Sequence, residues 1–166
     1  MQPDLRVLMR NFATGVCVAT TFSDETDGRR HDAVTVNSLT SASLDPPLVS
    51  LYLRIGSVFL ADLLAAKKWA VSILDHRDKE VAGLLAKDRQ TRAGTLAALA
   101  ASPGRATGAL VFDAASWIEC ELWDSFDVGD HTLVVGRVVA MGEGPRAPAL
   151  VFLHGRFHAI SPSIAG

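Results

Sequence analysis

Hydroxyl and amide side chains crowd one stretch, Thr35-Val36-Asn37-Ser38-Leu39-Thr40-Ser41-Ala42-Ser43-Leu44-Asp45-Pro46-Pro47, which begins as a strand. Beside an accessible backbone, so many donors and acceptors suit a polar ligand with a phosphate chain and a heteroaromatic head. A Ser/Thr-rich edge strand running into a turn explains the same residues through local hydrogen bonding, and the residue types alone leave both readings open. A second polar island, Gly129-Asp130-His131, is followed by Gly136 and Val138 on an apolar strand. A hairpin turn accounts for Gly129 and Asp130. His131 is not required by the turn and is able to hydrogen-bond a carboxamide or phosphate, with a solvated surface histidine as the plain alternative.

Two further places offer anion chemistry. Ser57 precedes an apolar run and reads as a helix N-cap, where unpaired N–H groups also suit a phosphate. Lys87-Asp88-Arg89-Gln90-Thr91-Arg92 reads as a polar loop whose cations either neutralise a phosphate or simply face water. His154 and His158 have the spacing of a zinc pair, but Gly155 lies between them in a strand-turn context rather than on a helix, so no metal site is expected. Cys17 and Cys120 are far apart, without CxxC spacing, and read as reduced buried thiols. The chain contains no GxSxG, no P-loop and no GxGxxG after a first strand, which removes support for nucleophile-elbow hydrolases, P-loop enzymes and Rossmann dehydrogenases.

The elements that must position these residues are mostly strands. A short amphipathic helix is expected over Asp4–Phe12, with Leu5, Leu8, Met9 and Phe12 at helical spacing, followed by strands over Val16–Phe22 and His31–Ser38. Leu48–Leu53 reads as a buried strand, Val58–Ala66 as a helix, and Trp69–Leu74 as another strand. Asp75 and Asp78 have the spacing of a cap for a helix running to about Lys87, and a second short helix is expected over Thr95–Ala101. Trp117–Val128 and Thr132–Glu143 form a long hairpin joined at Gly129-Asp130, and Ala149–Leu153 pairs with Phe157–Ile160. Hairpin-joined antiparallel strands in a chain of 166 residues favour a closed or nearly closed barrel in one domain spanning 1–166.

The formal net charge of −2 and the scattered Lys and Arg give no field for a polyanion, so no nucleic acid is expected. The N-terminus lacks the order of a signal peptide and no apolar run reaches spanning length, so a cytoplasmic protein with no membrane partner is expected. A hydrophobic share of 49% hints that a second subunit covers some apolar surface.

Taken in order, Gly15-Val16 with the Val18–Thr21 strand, Thr35-Val36-Asn37-Ser38, the Thr40–Val49 block containing Asp45-Pro46-Pro47, Gly129-Asp130-His131 with Gly136-Arg137-Val138, and Gly155-Arg156-Phe157 resemble the flavin reductase-like family, the flavin-binding split barrels that include reductase components of two-component monooxygenases. The resemblance runs from about Phe12 to Ile160. It implies a mainly β fold, a six-stranded antiparallel Greek-key split β-barrel with a few short inserted helices, homodimeric, with flavin in a groove near the dimer interface. By the same resemblance Thr35, Val36, Asn37 and Ser38 line the ribityl and phosphate region, Ser41, Ala42 and Ser43 approach the isoalloxazine, Ser57, Lys87 and Arg92 are phosphate candidates, and His131 lies on the nicotinamide side. Ala33, Ser72 and Asp78 depart from the Gly, Asn and Gln common in the family. An acidic Asp78 close to a flavin phosphate would be repulsive, so either it faces away or that part of the groove holds the flavin differently.

The implied activity is an NAD(P)H:flavin oxidoreductase that reduces FMN or FAD with NADH or NADPH and supplies diffusible reduced flavin to a partner monooxygenase. Hydride transfer between stacked cofactors needs no general base, so no catalytic side chain is expected. The rival expectation is a non-reductase split barrel that binds flavin or haem, or a flavin-retaining oxidase.

Overall fold

A computed structural model describes residues 4–113 and 115–161. Its centre is an antiparallel sheet built from β2 (Cys17–Glu25), β3 (Gly28–Val36), β4 (Thr40–Leu44), β5 (Pro47–Arg54), β6 (Lys68–Ile73), β9 (Ser116–Val128) and β10 (His131–Gly142), in the order β3-β2-β6-β9-β10-β5-β4. The sheet therefore has seven strands, not the six expected, because Thr40–Leu44 pairs with β5 as a strand of its own. β3 and β4 lie at opposite ends of this order, yet only Asn37, Ser38 and Leu39 connect them, so the sheet must curl until its ends nearly meet. Small satellites complete the β structure: β1 (Thr14–Gly15) pairs with the hairpin β11 (Ala149–Leu153) and β12 (Arg156–Ile160), and β7 (Ala101–Pro103) pairs with β8 (Leu110–Phe112).

Alternation along the strands sorts side chains into the curl or out of it. Cys17, Ala19, Leu51, Leu53, Trp69, Val71, Cys120 and Val134 fill the inside together with Phe59, Leu60 and Leu63 of α2 (Val58–Ala66). Trp69 is fully buried against β10 at Gly136, where a Cβ would lie 2.4 Å from the indole. Glycine is thus imposed there by the ring, not by backbone conformation. On the outer face Val16, Val18 and Ala33 pack with Ala82 and Leu85 of α3 (Lys79–Leu85) and Leu96 of α4 (Arg89–Ala97).

The helix ends follow the capping chemistry expected of them. The Ser57 Oγ accepts from the Leu60 N–H at 3.2 Å. Asp75 and Asp78 form a reciprocal capping box around the 3-10 turn His76–Asp78, with the Asp78 carboxylate accepting from the Asp75 N–H at 3.1 Å. Asp78 is thus tied to the turn. The expected polar loop at Lys87–Arg92 is instead the start of α4, because Asp88 caps it by accepting from the Thr91 N–H and hydroxyl. The helix expected at Thr95–Ala101 accordingly begins six residues earlier, at Arg89, and ends at Ala97. The opening helix, α1 (Leu5–Met9), is shorter than expected and has no buried residue.

Candidate functional site

Three cavities join end to end along the outer side of the β3 wall. The middle one, about 170 Å³, is lined by Thr35, Val36, Asn37, Ala86, Phe152 and Phe157. Through Asn37 and Phe152 it meets a cavity of about 470 Å³ beneath α1. Through Phe157 it meets another of about 620 Å³ that includes Lys79 and Lys87 beside α3. The result is one groove, apolar in the middle and cationic towards both ends. Phe152 and Phe157 face each other across the β11–β12 pair, with ring centroids 5.4 Å apart at 61°. They form its aromatic floor.

Thr35 and Asn37 are held rather than free. The Thr35 hydroxyl donates to the Ala82 carbonyl at 2.6 Å, fixing α3 to the wall, and the Asn37 amide donates to Thr14 Oγ1 at 3.2 Å, leaving its oxygen for a ligand. Ser38 turns to the other side of the seam. Its hydroxyl accepts from the Tyr52 N–H at 3.0 Å, which pins the β3–β4 link to β5. Ser41, Ala42 and Ser43 lie on the edge strand β4, where the register with β5 shifts between Ser41 and Ser43 and leaves Ala42 as the bulged residue.

His131 opens β10 opposite Arg54, and the Ile55 N–H donates to the Asp130 carbonyl, so the β9–β10 turn adjoins the start of α2 at Ser57. The His131 Nδ1 lies 2.7 Å from Asp130 Oδ1, and this bond holds the Asp130 carboxyl below its usual range. The ring is half-exposed and presents Nε2 outward from that pair. A second group, Ser38, Ser57 and His131, therefore gathers at the β5–β10 end of the sheet, apart from the Thr35–Asn37–Lys87 groove. The two groups adjoin at Asn37-Ser38.

Arg92 is placed differently from a phosphate ligand. Its Nε and Nη2 donate to both oxygens of Asp32, at 3.1 and 3.0 Å, and its Nη1 donates to the Lys87 carbonyl at 3.1 Å. Asp32 is buried, with 4% of its side chain exposed, and Arg92 retains 13%. All three guanidinium nitrogens are engaged, so Arg92 braces the backbone at Lys87 from behind. Ser57 is likewise occupied as a cap. Asp32 had no forecast role, although a lone acid within a strand was the available signal. Phe152 and Ala86 were also unforecast, whereas Phe157 sits in the Gly155-Arg156-Phe157 motif.

The two thiols take no part. Both are buried, and burial pushes Cys17 and Cys120 up to about 12. Among the described residues no group of His, Cys, Asp or Glu could hold a metal ion.

Residues 9–161 match the family model described as "Flavin reductase like domain". The chain belongs to the flavin reductase-like family. It is 36% identical over 154 residues to an NADH-dependent flavin reductase of Pseudomonas fluorescens, covering 89% of this chain and 83% of that one. It is 33% identical over 162 residues to a probable flavin reductase of Rhizobium meliloti, but spans only 49% of that protein's length. The crystal structure of the flavin reductase component of a bacterial two-component tryptophan halogenase superposes with a TM-score of 0.85 at 35% identity, covering 94% of this chain and 96% of that one. The expected split barrel is thus the fold of its structural neighbours as well as of the sequence pattern.

Proposed function

We propose that the chain is an NAD(P)H-dependent flavin reductase, one split-barrel domain that reduces FMN or FAD and releases it to a partner monooxygenase. The observation that carries this reading is the continuous groove along Thr35, Asn37 and Lys87 in a chain of this family. Its donor set fits a flavin: Asn37 keeps a free amide oxygen for a ribityl hydroxyl, and the Lys87 ammonium supplies a counter-charge for a phosphate. The bound nicotinamide and flavin supply the hydride chemistry between them.

The protein's part is placement. Asn37 and Ser38 stand at the seam between the groove and the sheet end, so a flavin crossing it lays its phosphate chain towards Lys87 and its ring towards Ser41–Ser43. Exposed backbone and hydroxyl donors on the irregular edge of β4 then face the ring edge where negative charge grows. His131, oriented by Asp130, lies on the nicotinamide side and offers Nε2 to the carboxamide.

We assign the working form as a cytoplasmic homodimer. In support, Tyr52, Leu133 and Phe126 align across β5, β10 and β9 on the outer face, with Tyr52 43% and Phe126 52% exposed. Val128 extends the same apolar face at 51%. Among the described residues no helix is long and apolar enough to cross a membrane.

The test is anaerobic bleaching of free FMN and FAD by NADH and NADPH at catalytic protein concentration. Acceleration with at least one pair is expected. Bleaching at the uncatalysed rate for every pair sinks the assignment.

A further inference from the structure

A separate cavity of about 450 Å³ shares no lining residue with the groove. Its wall is largely apolar and is built over β9, from which Trp117 and Glu119 point the same way two residues apart, with Ala140 opposite Glu119 on β10. The indole is held against Gly142, where a Cβ would come within 2.6 Å of the ring. Glu119 is fully buried, and its two oxygens are treated unequally. Oε2 accepts from the Ala106 N–H at 3.0 Å, the Thr107 N–H at 2.6 Å and the Thr107 hydroxyl at 2.7 Å. Oε1 is buried without a hydrogen-bond partner among the described residues. All three donors to Oε2 are neutral, so the cavity wall holds a carboxylate with one oxygen unsatisfied. The turn that carries the donors is fixed: the Gly104 N–H donates to the Ala109 carbonyl at 2.8 Å and the Gly108 N–H to the Gly104 carbonyl at 2.9 Å. Arg105, exposed on that turn, lines the same cavity.

A buried acceptor of this kind is costly until a donor reaches it, and a carboxylate favours a charged donor. An indole face beside it attracts a cation or stacks on an aromatic body. We propose that this cavity is a second ligand site, for a small apolar or aromatic molecule bearing a protonated amine, with the ammonium donating to Glu119 Oε1 and the body against Trp117 and Val111. Entry breaks no hydrogen bond at Oε1, because none is there to break. Arg105 suits an amine whose other end is a carboxylate, so an apolar amino acid uses both charges. The site goes beyond the flavin reductase reading and does not depend on it. Flavin nucleotides and nicotinamide dinucleotides are anions, which a buried carboxylate repels.

Three probes of one shape separate the charges: phenethylamine, phenylalanine and 3-phenylpropionate, each titrated by calorimetry into the full chain. Binding needs no turnover, so the result stands whether or not flavin reduction is observed. The amine and the amino acid are expected to bind and the acid alone to fail. In Glu119→Gln the amide oxygen keeps the Ala106 and Thr107 donors while its NH2 faces the ammonium, and affinity for both amines is expected to fall about tenfold or more. Arg105→Gln is expected to weaken phenylalanine several-fold and leave phenethylamine unchanged. Ala140→Leu fills the cavity from β10 with every polar group left in place and is expected to abolish binding, which keeps the test valid if Glu119→Gln does not fold. Saturating FMN is expected to leave amine affinity as it was. No amine binding at millimolar concentration, equal binding of 3-phenylpropionate, amine affinity unchanged in the folded variants, or displacement of the amine by FMN overturns the proposal.

Discussion

Replacing Asp32 by Asn tests the claim that Arg92 is a brace and not a ligand. Asparagine keeps one carbonyl oxygen, which can still accept from the Ala33 N–H that Asp32 Oδ1 accepts from at 2.8 Å. The other carboxylate oxygen becomes an NH2 group pointed at a guanidinium N–H, donor against donor. Arg92 is then a nearly buried cation with one partner lost, a change worth about 3–5 kcal/mol when an ion pair is broken from one side. For a chain of this size that is a fall in Tm of roughly 6–20 °C. Arg92→Met is expected to cost less than Asp32→Asn, because Arg89 lies 3.8 Å from the same carboxylate and remains as its counter-charge. The double variant Asp32→Leu/Arg92→Met is expected to recover part of the loss. Urea unfolding followed by tryptophan fluorescence measures all three, and an FMN titration of each shows whether releasing the Lys87 carbonyl loosens the groove. A loss below about 1 kcal/mol for Asp32→Asn would place the pair with solvent-screened surface bridges and refute the brace.

Gly136→Ala forces a methyl to within 2.4 Å of the Trp69 ring, so a loss of roughly 1–3 kcal/mol or more is expected in urea unfolding, with Trp69→Phe relieving part of it. The fully buried Glu119 accepts from the N–H groups of Ala106 and Thr107 and from the Thr107 hydroxyl; Glu119→Ala, which orphans those donors, is expected to cost roughly 2–5 kcal/mol in the same measurement and Glu119→Gln clearly less. Burial, aided by the neighbouring Arg29 charge, holds His31 below its ordinary value, so the unfolded chain binds the proton first as pH falls. Stability contributed by neutral His31 is therefore present above about pH 6.5 and lost below it, and a pH series of denaturation midpoints should be flatter for His31→Gln across that window.

Most strands were legible because their alternation is strong, and the long hairpin at Gly129-Asp130 appears where its turn residues put it. Glu119 shows the limit of that reading. Alternation sends it correctly away from the barrel interior, but only the tertiary fold reveals that Ala106 and Thr107 cover that face and turn an outward acid into a buried acceptor. Arg92 failed to read as a brace for a similar reason: its partner Asp32 is distant in sequence, and no local pattern joins them. The polar stretch was visible as a unit, yet it serves two places, since a change of direction at the strand end sends Asn37 to the groove and Ser38 to β5.

The short link at Asn37–Leu39 makes the barrel's closure and its ligand contacts one object. A glycine-serine insertion there would lengthen the tether between the first and last strands of the curl and separate Asn37 from Ser38, so shape and cofactor affinity would decline together. The same insertion at Thr26-Asp27, the turn between β2 and β3, lies at the far tip of a hairpin and would touch neither. Tolerance to added chain length should thus be sharply uneven along β3, high at its start and low at its end.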